Sequence, residues 1–265
     1  MATALHVCHK TMDDRARGDA IFAGALVVFA GVEGLAEFRT RVDELVRASF
    51  GVHEPELAQS TMPRAVYLDA VRTVQKAVRA DALAHRLLLD ALSSTGLDRS
   101  ETYWDWVHLR VLPSGSEFAD SGTGWHRDTW ASSLDAQTNW WTPIYPITAD
   151  RTISFAPAHW STPVENSSAG WSPGSAELIP RPLEALDPDE QRVVIEPDDL
   201  LCFSGAQLHG TVANDTGRAR FSVEVRTISR TDVREGRGAP AVDATAPRPQ
   251  FGWFRHAVDG SRLST

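Results

Sequence analysis

Hydrophobic residues recur at helical spacing in the first third of the chain. Over 35–49 they fall every three or four positions, which predicts an amphipathic helix; they are Leu35, Phe38, Val42, Leu45 and Val46. The spacing continues over 63–92, long enough for two helices, until Gly96 ends it. The short branched run at 25–29 predicts a strand. The polar residues 1–20 are expected to be loosely ordered.

Beyond Gly96 the pattern changes to short apolar or alternating runs separated by Gly, Pro and Asn. Many short strands with turn residues between them are typical of a β-sandwich, jelly roll or barrel. The segment 161–189 is rich in Pro, Ser and Gly and predicts a long loop. The predicted strands are 107–112, 137–146, 152–155, 192–195, 200–203, 210–212 and 220–228.

Helices followed by strands predict an α+β fold in one domain of 265 residues. Residues 20–96 would form a mainly helical N-terminal layer. Residues 97–230 would form a β core that carries the loop 161–189, and residues 231–265 an irregular C-terminal tail.

Composition narrows the possible functions. Hydrophobic residues make up 42% and charged residues 23%, which is ordinary for a globular protein. A net charge of −9 without a basic stripe argues against nucleic-acid binding. No apolar run approaches the roughly 20 residues of a membrane span, and no signal peptide is visible. Two cysteines suit a reducing compartment, so we expect a cytoplasmic protein.

The segment Gly124–Trp130 carries a candidate metal-binding pair. If it is extended, His126 and Asp128 project to the same face, because side chains alternate along a strand. His209, in a later β segment, can supply a third ligand. Two His and one carboxylate form the facial triad that proteins use for non-haem Fe(II) and O₂.

A second candidate feature follows His209 by eleven residues. On a strand, Arg220 would share one face with Ser222, Glu224 and Arg226, opposite Phe221, Val223 and Val225. If the polar face lines a barrel interior, the Arg220 guanidinium can bind the carboxylate of a dicarboxylate co-substrate. Thr211 would share the face of His209 and can donate its hydroxyl to the same carboxylate. The alternative is a polar face turned to water.

These residues resemble the Fe(II)/2-oxoglutarate-dependent oxygenases of the phytanoyl-CoA dioxygenase-like superfamily, in particular a small bacterial branch. The matching positions are His126, Asp128, His209, Thr211 and Arg220, and the similarity extends over roughly 20–240. The resemblance implies a double-stranded β-helix, or jelly-roll, core like that of the cupins. It also implies Fe(II) and 2-oxoglutarate as cofactors, with succinate and CO₂ as co-products. Gln137 or Asn139 would contact 2-oxoglutarate.

Several reactions are compatible with this resemblance. Related halogenases have Gly or Ala at the position of Asp128, so halogenation is disfavoured. Hydroxylation of an unactivated C–H bond is the default, whereas desaturation, epoxidation or cyclisation would use the same centre. The expected substrate is a small natural-product or amino-acid-derived intermediate, together with O₂. Two other classes stay open: a zinc-dependent hydrolase and a cupin-like binding module without oxygen chemistry.

Other residues are candidates for contact with the substrate. Eight of the nine tryptophans lie between residues 104 and 171, either as core residues or as walls of an aromatic pocket. Arg110 precedes the metal motif and can bind a substrate carboxylate or form a structural ion pair. His159 opens the long loop. The full set of substrate candidates is Arg110, Trp125, Trp130, Trp141 and His159.

Overall fold

Two β-sheets lie at the centre of the fold, seen in a computed structural model that describes residues 5–115, 124–177 and 179–263. The described strands are β1 Leu5–Cys8, β2 Leu26–Phe29, β3 Thr102–Trp104, β4 His108–Leu112, β5 Gln137–Pro143, β6 Ile153–Phe155, β7 Gln191–Val193, β8 Leu200–Ser204, β9 His209–Thr211, β10 Arg220–Ser229 and β11 Arg255–His256. The described helices are α1 Asp14–Phe22, α2 Leu35–Phe50, α3 Ala58–Thr61, α4 Arg64–Ala80, α5 Ala82–Ser94, α6 Thr129–Ser132 and α7 Arg230–Glu235.

The larger sheet has the strand order β1-β2-β8-β5-β10-β3-β11, and β4 also pairs with β10. Its strand pairs are antiparallel, except that β1 runs parallel to β2. The smaller sheet has the order β7-β6-β9, and an isolated bridge between His126 and His209 extends it. The fold is therefore mixed α and β, with a large, mostly antiparallel sheet.

From β4 to β10 the chain passes repeatedly between the two sheets. The strands β4, β5, β8 and β10 belong to the larger sheet, whereas the His126 bridge, β6, β7 and β9 belong to the smaller one. This path brings His126 and His209 into adjacent positions of the smaller sheet, although they are distant in the sequence.

The helices α2, α4 and α5 cover the outer face of the larger sheet. Their apolar stripes pack against alternate strand residues, among them Trp140, Cys202, Phe221, Val223 and Val225. Local sequence sets the helix ends: Gly51 adopts the left-handed conformation after α2. Asp81 accepts the Ala84 N–H at 2.7 Å and so begins α5. The predicted helix 35–49 and the pair over 63–92 are therefore confirmed as elements.

The other strand residues face inward and form a second core between the sheets. It joins Leu26, Val28, Trp141, Leu201 and Phe203 of the larger sheet to residues on the side of the smaller one, namely Ile153, Phe155, Val193 and Ile195. The two adjacent tryptophans Trp140 and Trp141 thus belong to different cores, because successive strand residues point in opposite directions.

The expectation of a loosely ordered start of the chain was wrong, whereas the predicted irregular tail contains two short elements. The segment expected to be loosely ordered contains β1 and α1, and β2 pairs with β8, so the N-terminal part contributes strands to the central sheet. The C-terminal tail is not wholly irregular, since it contains α7 and β11. The described residues of the predicted loop 161–189 contain a short 3-10 turn, Ser167–Gly170, and an isolated bridge between Asn166 and Pro182. Residues 1–4, 116–123, 178 and 264–265 lie outside the described residues.

Within the part of the chain that the structure describes, no helix has the length and apolar character needed to cross a lipid bilayer.

Candidate metal centre

His126 and His209 are held side by side by backbone pairing. The amide of each residue donates to the carbonyl of the other at 2.9 Å, in the bridge that extends the smaller sheet. Their ring centroids lie 4.2 Å apart, and both side chains are buried. Phe155 and Phe203 lie against the His209 ring and restrict its rotation.

Asp128 approaches the two imidazoles from the start of a helix and not from a strand. Its φ of −65° and ψ of −29° are helical, and α6 begins at the next residue. The extended conformation considered for this segment is therefore wrong at Asp128, although the carboxylate still reaches the histidines. One ligand atom from each of the three residues lies within 4.8 Å of the others. Asp128 Oδ1 is 3.9 Å from His126 Nε2.

Each histidine has one ring nitrogen engaged by the backbone. His126 Nδ1 lies 2.8 Å from the Gly124 carbonyl, and His209 Nδ1 lies 2.9 Å from the Gln207 carbonyl. A carbonyl only accepts, so both Nδ1 atoms carry a proton, which makes Nε2 the ring nitrogen that each histidine can offer to a metal. Burial, together with the neighbouring His209, lowers the pKa of His126 to about 4, so this imidazole is neutral near pH 7.

A chain of amide side chains orients Asp128. Asn139 Nδ2 donates to Asp128 Oδ2, and Gln137 Nε2 donates to Asn139 Oδ1 at 2.8 Å. Burial alone would raise the pKa of Asp128, but His209, Arg226 and His126 outweigh it and hold the pKa at about 2. Both amide residues, predicted to contact 2-oxoglutarate, therefore hold Asp128 in place here. Gln137 Oε1 has no hydrogen-bond partner among the described residues.

Two buried imidazoles, each held by a backbone carbonyl at Nδ1, and one buried carboxylate fit a divalent metal ion. Nitrogen and oxygen donors of this kind suit Fe(II), and Zn(II) can also use them. The hydrogen bonds that hold Nδ1 of both histidines and Oδ2 of Asp128 are of the kind expected around metal ligands.

Arg220 is a buried cation that lacks a protein carboxylate among the described residues. It is 5% exposed, and one terminal nitrogen, Nη1, donates to the Thr152 carbonyl at 2.7 Å, whereas Nε has no partner. Burial and the nearby Arg110 lower the pKa of Arg220 to about 10, so it is still charged at pH 7. Trp141, which had been a substrate candidate, lies with its ring centroid 5.8 Å from the Arg220 guanidinium carbon.

Ser222 and Thr211 lie close to this guanidinium in the strand registers. Ser222 is two residues further along β10, fully buried, and its hydroxyl has no partner within the described structure. Thr211 pairs with Ile153, next to the Thr152 carbonyl that Arg220 contacts. A guanidinium without a carboxylate partner and a hydroxyl without a hydrogen bond, both within the described residues and on the same strand face, can together bind a carboxylate.

Arg226 has a different environment at the far end of the inner face of β10. Its Nε donates to Asp105 Oδ2 at 2.6 Å, and a terminal nitrogen lies 3.2 Å from His108 Nε2. Between the two arginines, the Glu224 carboxylate approaches Arg110 Nε at 3.9 Å. The Arg110 side chain is 44% exposed. The Arg110 side chain is therefore partly open to solvent, and its neighbour is an acid.

The remaining substrate candidates have separate environments. Trp130 is fully buried and donates to Asp243 at 2.7 Å, so it is a core residue and has no surface open to a ligand. Trp125 is half-buried beside Gly210, where an added Cβ would come within 3.4 Å of its ring. His159 is half-buried, and its Nδ1 has no partner among the described residues.

Three residues of this region were not predicted from the sequence. Ser222 and Glu224 had been placed on the polar face of β10 but were given no role; their position two and four residues after Arg220 was the available signal. Asp243, which contacts the metal segment through Arg127, lies in the supposed tail and carries no local pattern that would distinguish it.

Comparisons with known proteins give weak similarities. No protein-family model matches the chain. The streptomycin biosynthesis protein StrG of Streptomyces griseus is 27% identical over 190 residues, 71% of this chain and 73% of that protein. EvdO2 from Micromonospora carbonacea var. aurantiaca, solved with 2-oxoglutarate, is 14% identical with a TM-score of 0.48, over 84% of this chain and 93% of EvdO2. The epimerase SnoN, solved with Fe³⁺, alpha ketoglutarate and nogalamycin RO, is 15% identical with a TM-score of 0.44, over 95% of this chain and 97% of SnoN.

Proposed function

We propose that the chain is an Fe(II)- and 2-oxoglutarate-dependent oxygenase that hydroxylates a C–H bond of a small molecule. Two features together carry this proposal: the triad of His126, Asp128 and His209, and the buried Arg220 guanidinium, which has no carboxylate partner among the described residues. A zinc hydrolase needs the first feature but gives no reason for the second.

The proposed reaction oxidises the substrate with one O₂ and one 2-oxoglutarate. One oxygen atom enters the hydroxylated product, and the other enters succinate as CO₂ is released. The metal with 2-oxoglutarate would supply the activation of O₂.

The protein residues would bind and orient the reactants. His126 and His209 would offer Nε2, and Asp128 would offer Oδ1, with Oδ2 held by Asn139. Arg220, with Ser222 and Thr211, would bind the carboxylate of 2-oxoglutarate remote from the metal.

We also propose that the two sheets form a double-stranded β-helix core in a single domain. The alternation of strands between the sheets, with the metal ligands on the smaller one, supports this arrangement.

The substrate class rests on the relative. StrG is a streptomycin biosynthesis protein, which favours a small natural-product intermediate as substrate. The presence of Asp128 disfavours halogenation, because its carboxylate fills a position that a halide would need. Desaturation, epoxidation and cyclisation would use the same centre, and product analysis separates them from hydroxylation.

The test is an anaerobic titration of the metal-free protein with Fe(II) and then with 2-oxoglutarate. We expect a weak visible charge-transfer band when both are present, and no band in His126→Ala. If Fe(II) binds but 2-oxoglutarate gives no band, the oxygenase proposal is wrong, and titrations with zinc and nickel would then examine the hydrolase and cupin-like alternatives.

A further inference from the structure

Arg127 lies between two of the metal-ligand candidates, but its side chain does not join them. It is 1% exposed and binds three backbone carbonyls, those of Ala206, His159 and Thr162, the last at 3.1 Å. Its Nε donates to Asp243 Oδ2 at 3.1 Å. A single guanidinium therefore connects four separate segments of the chain.

Asp243 is equally well enclosed. Its side chain is 5% exposed. Besides Arg127, it accepts the indole N–H of Trp130 at 2.7 Å and the amide of Val164 at 3.0 Å. Its backbone carbonyl accepts from Asn166 Nδ2 at 2.9 Å. The C-terminal segment is thus joined both to the segment that carries Asp128 and to the long loop.

The carbonyl of Ala206 connects this network to the segment that bears His209, the third metal-ligand candidate. Ala206 lies in the turn between β8 and β9, three residues before His209. The Thr129 amide, next to Asp128, donates to Gly205 in the same turn at 3.2 Å. Arg127 therefore bonds the segment that bears His126 and Asp128 to the segment that bears His209.

We propose that the Arg127–Asp243 ion pair positions the metal centre by fixing the distance between its two ligand-bearing segments. Neither residue offers an atom to the metal, so both are positioning residues. The inference rests on the proposed metal site. It makes the C-terminal segment around Asp243, distant in sequence from every ligand, a determinant of metal affinity.

The physical reason is the cost of an unpaired buried charge. The Arg127 guanidinium is 1% exposed, and Asp243, 3.1 Å from its Nε, is the carboxylate that neutralises it. Without the Asp243 carboxylate, the guanidinium would have to seek water or another anion. Its bonds to Ala206, His159 and Thr162 would then be lost or lengthened. Metal sites tolerate only small displacements of their ligands, so affinity should fall.

The experiment compares Co(II) binding to the metal-free forms of wild type, Asp243→Asn and Arg127→Lys. Co(II) reports both affinity and ligand geometry through its visible absorption. We expect Co(II) affinity to fall about tenfold or more in both variants, equivalent to about 1.4 kcal/mol, with a changed spectrum. Asn keeps the shape of Asp, and Lys keeps the charge of Arg but not its planar fork.

Asp232→Asn is the matched control. Asp232 has a side chain that is 7% exposed and pairs with Arg237. Its contacts do not include a ligand-bearing segment, so this variant should lose thermal stability and keep the Co(II) affinity and spectrum of wild type. A loss of stability in all variants with unchanged Co(II) binding in Asp243→Asn and Arg127→Lys would make the pair merely structural and overturn the proposal.

Two other results of this experiment would also decide the proposal. If Asp243→Asn does not fold, Arg127→Lys decides, because it keeps a cation opposite Asp243. If wild type itself fails to bind Co(II), the metal centre is wrong, and with it the proposed function, which is a different result from wild-type binding with unaffected variants.

Discussion

The two ends of β10 place similar cations in opposite situations. Arg226 is bonded to Asp105 and lies 3.2 Å from His108. Arg220, six residues earlier on the same inner face, has only the Thr152 carbonyl and leaves Nε without a partner among the described residues. Burial lowers the pKa of Arg220 to about 10, whereas at Arg226 the nearby acids outweigh burial and raise the pKa.

This difference separates a structural cation from a candidate binding cation. A buried charge that the protein neutralises contributes to the fold, and its loss should cost stability. A buried charge that the protein leaves unneutralised is costly until an anion binds. The strand pattern alone puts both arginines on the same face of β10, and only their interaction partners distinguish them.

The largest expected effect is at the neutralised end. Asp105→Ala removes the carboxylate beside Arg226 and leaves a buried cation, so we expect a loss of about 3–5 kcal/mol in the free energy of unfolding, measured by urea titration. The control is Asp69→Ala, which breaks an exposed pair with Arg72 and should cost about 1 kcal/mol or less. Equal effects in the two variants would contradict the comparison.

At the open end, Arg220→Met should leave the stability of the metal-free protein unchanged or raise it. The same variant should weaken 2-oxoglutarate binding about 10–100-fold, corresponding to about 1.5–3 kcal/mol for a charged hydrogen bond. The charge-transfer band measures this affinity. Arg218→Met, which removes a half-exposed cation near Glu56, is the control and should bind normally. If Arg220→Met bound 2-oxoglutarate with wild-type affinity, Arg220 would not be the residue that binds its carboxylate.

Low pH should weaken the ion pair between Asp105 and Arg226. Burial raises the pKa of Asp105, but Arg226 and His108 outweigh it, so the folded pKa lies below its usual value. The stability from ionised Asp105 is then complete above about pH 3.9, the unfolded value, and is lost as the pH falls through the folded pKa. The difference in unfolding free energy between wild type and Asp105→Asn should therefore narrow below about pH 4. A difference that stays constant from pH 6 to pH 3 would count against this ion pair.

The smallest expected effect is at Ser222. Ser222→Ala removes a hydroxyl that has no partner within the described structure, so the free energy of unfolding should hardly change. Binding of 2-oxoglutarate should weaken by about 0.5–1.5 kcal/mol, the usual contribution of one hydrogen bond. Ser154→Ala, which breaks a bond to Glu190, should lower the free energy of unfolding and leave 2-oxoglutarate binding unchanged. Unaltered 2-oxoglutarate binding in Ser222→Ala would remove this hydroxyl from the site.

Much of the fold could be predicted because it depends on local patterns. The helical spacing before Gly96 identified α2, α4 and α5, and the short apolar or alternating runs identified most strands. No comparable pattern marks β1, which is polar in part and lies at the exposed edge of its sheet. The candidate ligands were also accessible from sequence, since residue type and spacing restrict the possible chemistry.

By itself, the sequence determined which residue types were available and which face of each strand they shared. It could not decide how the cations would be neutralised, because the partners are distant in the chain: Asp105 for Arg226, and Asp243 for Arg127. It also could not show that Asn139 orients Asp128 or that Asp128 begins a helix. These outcomes depend on which segments the tertiary structure brings into contact, since burial makes a nearby partner decisive for each charge.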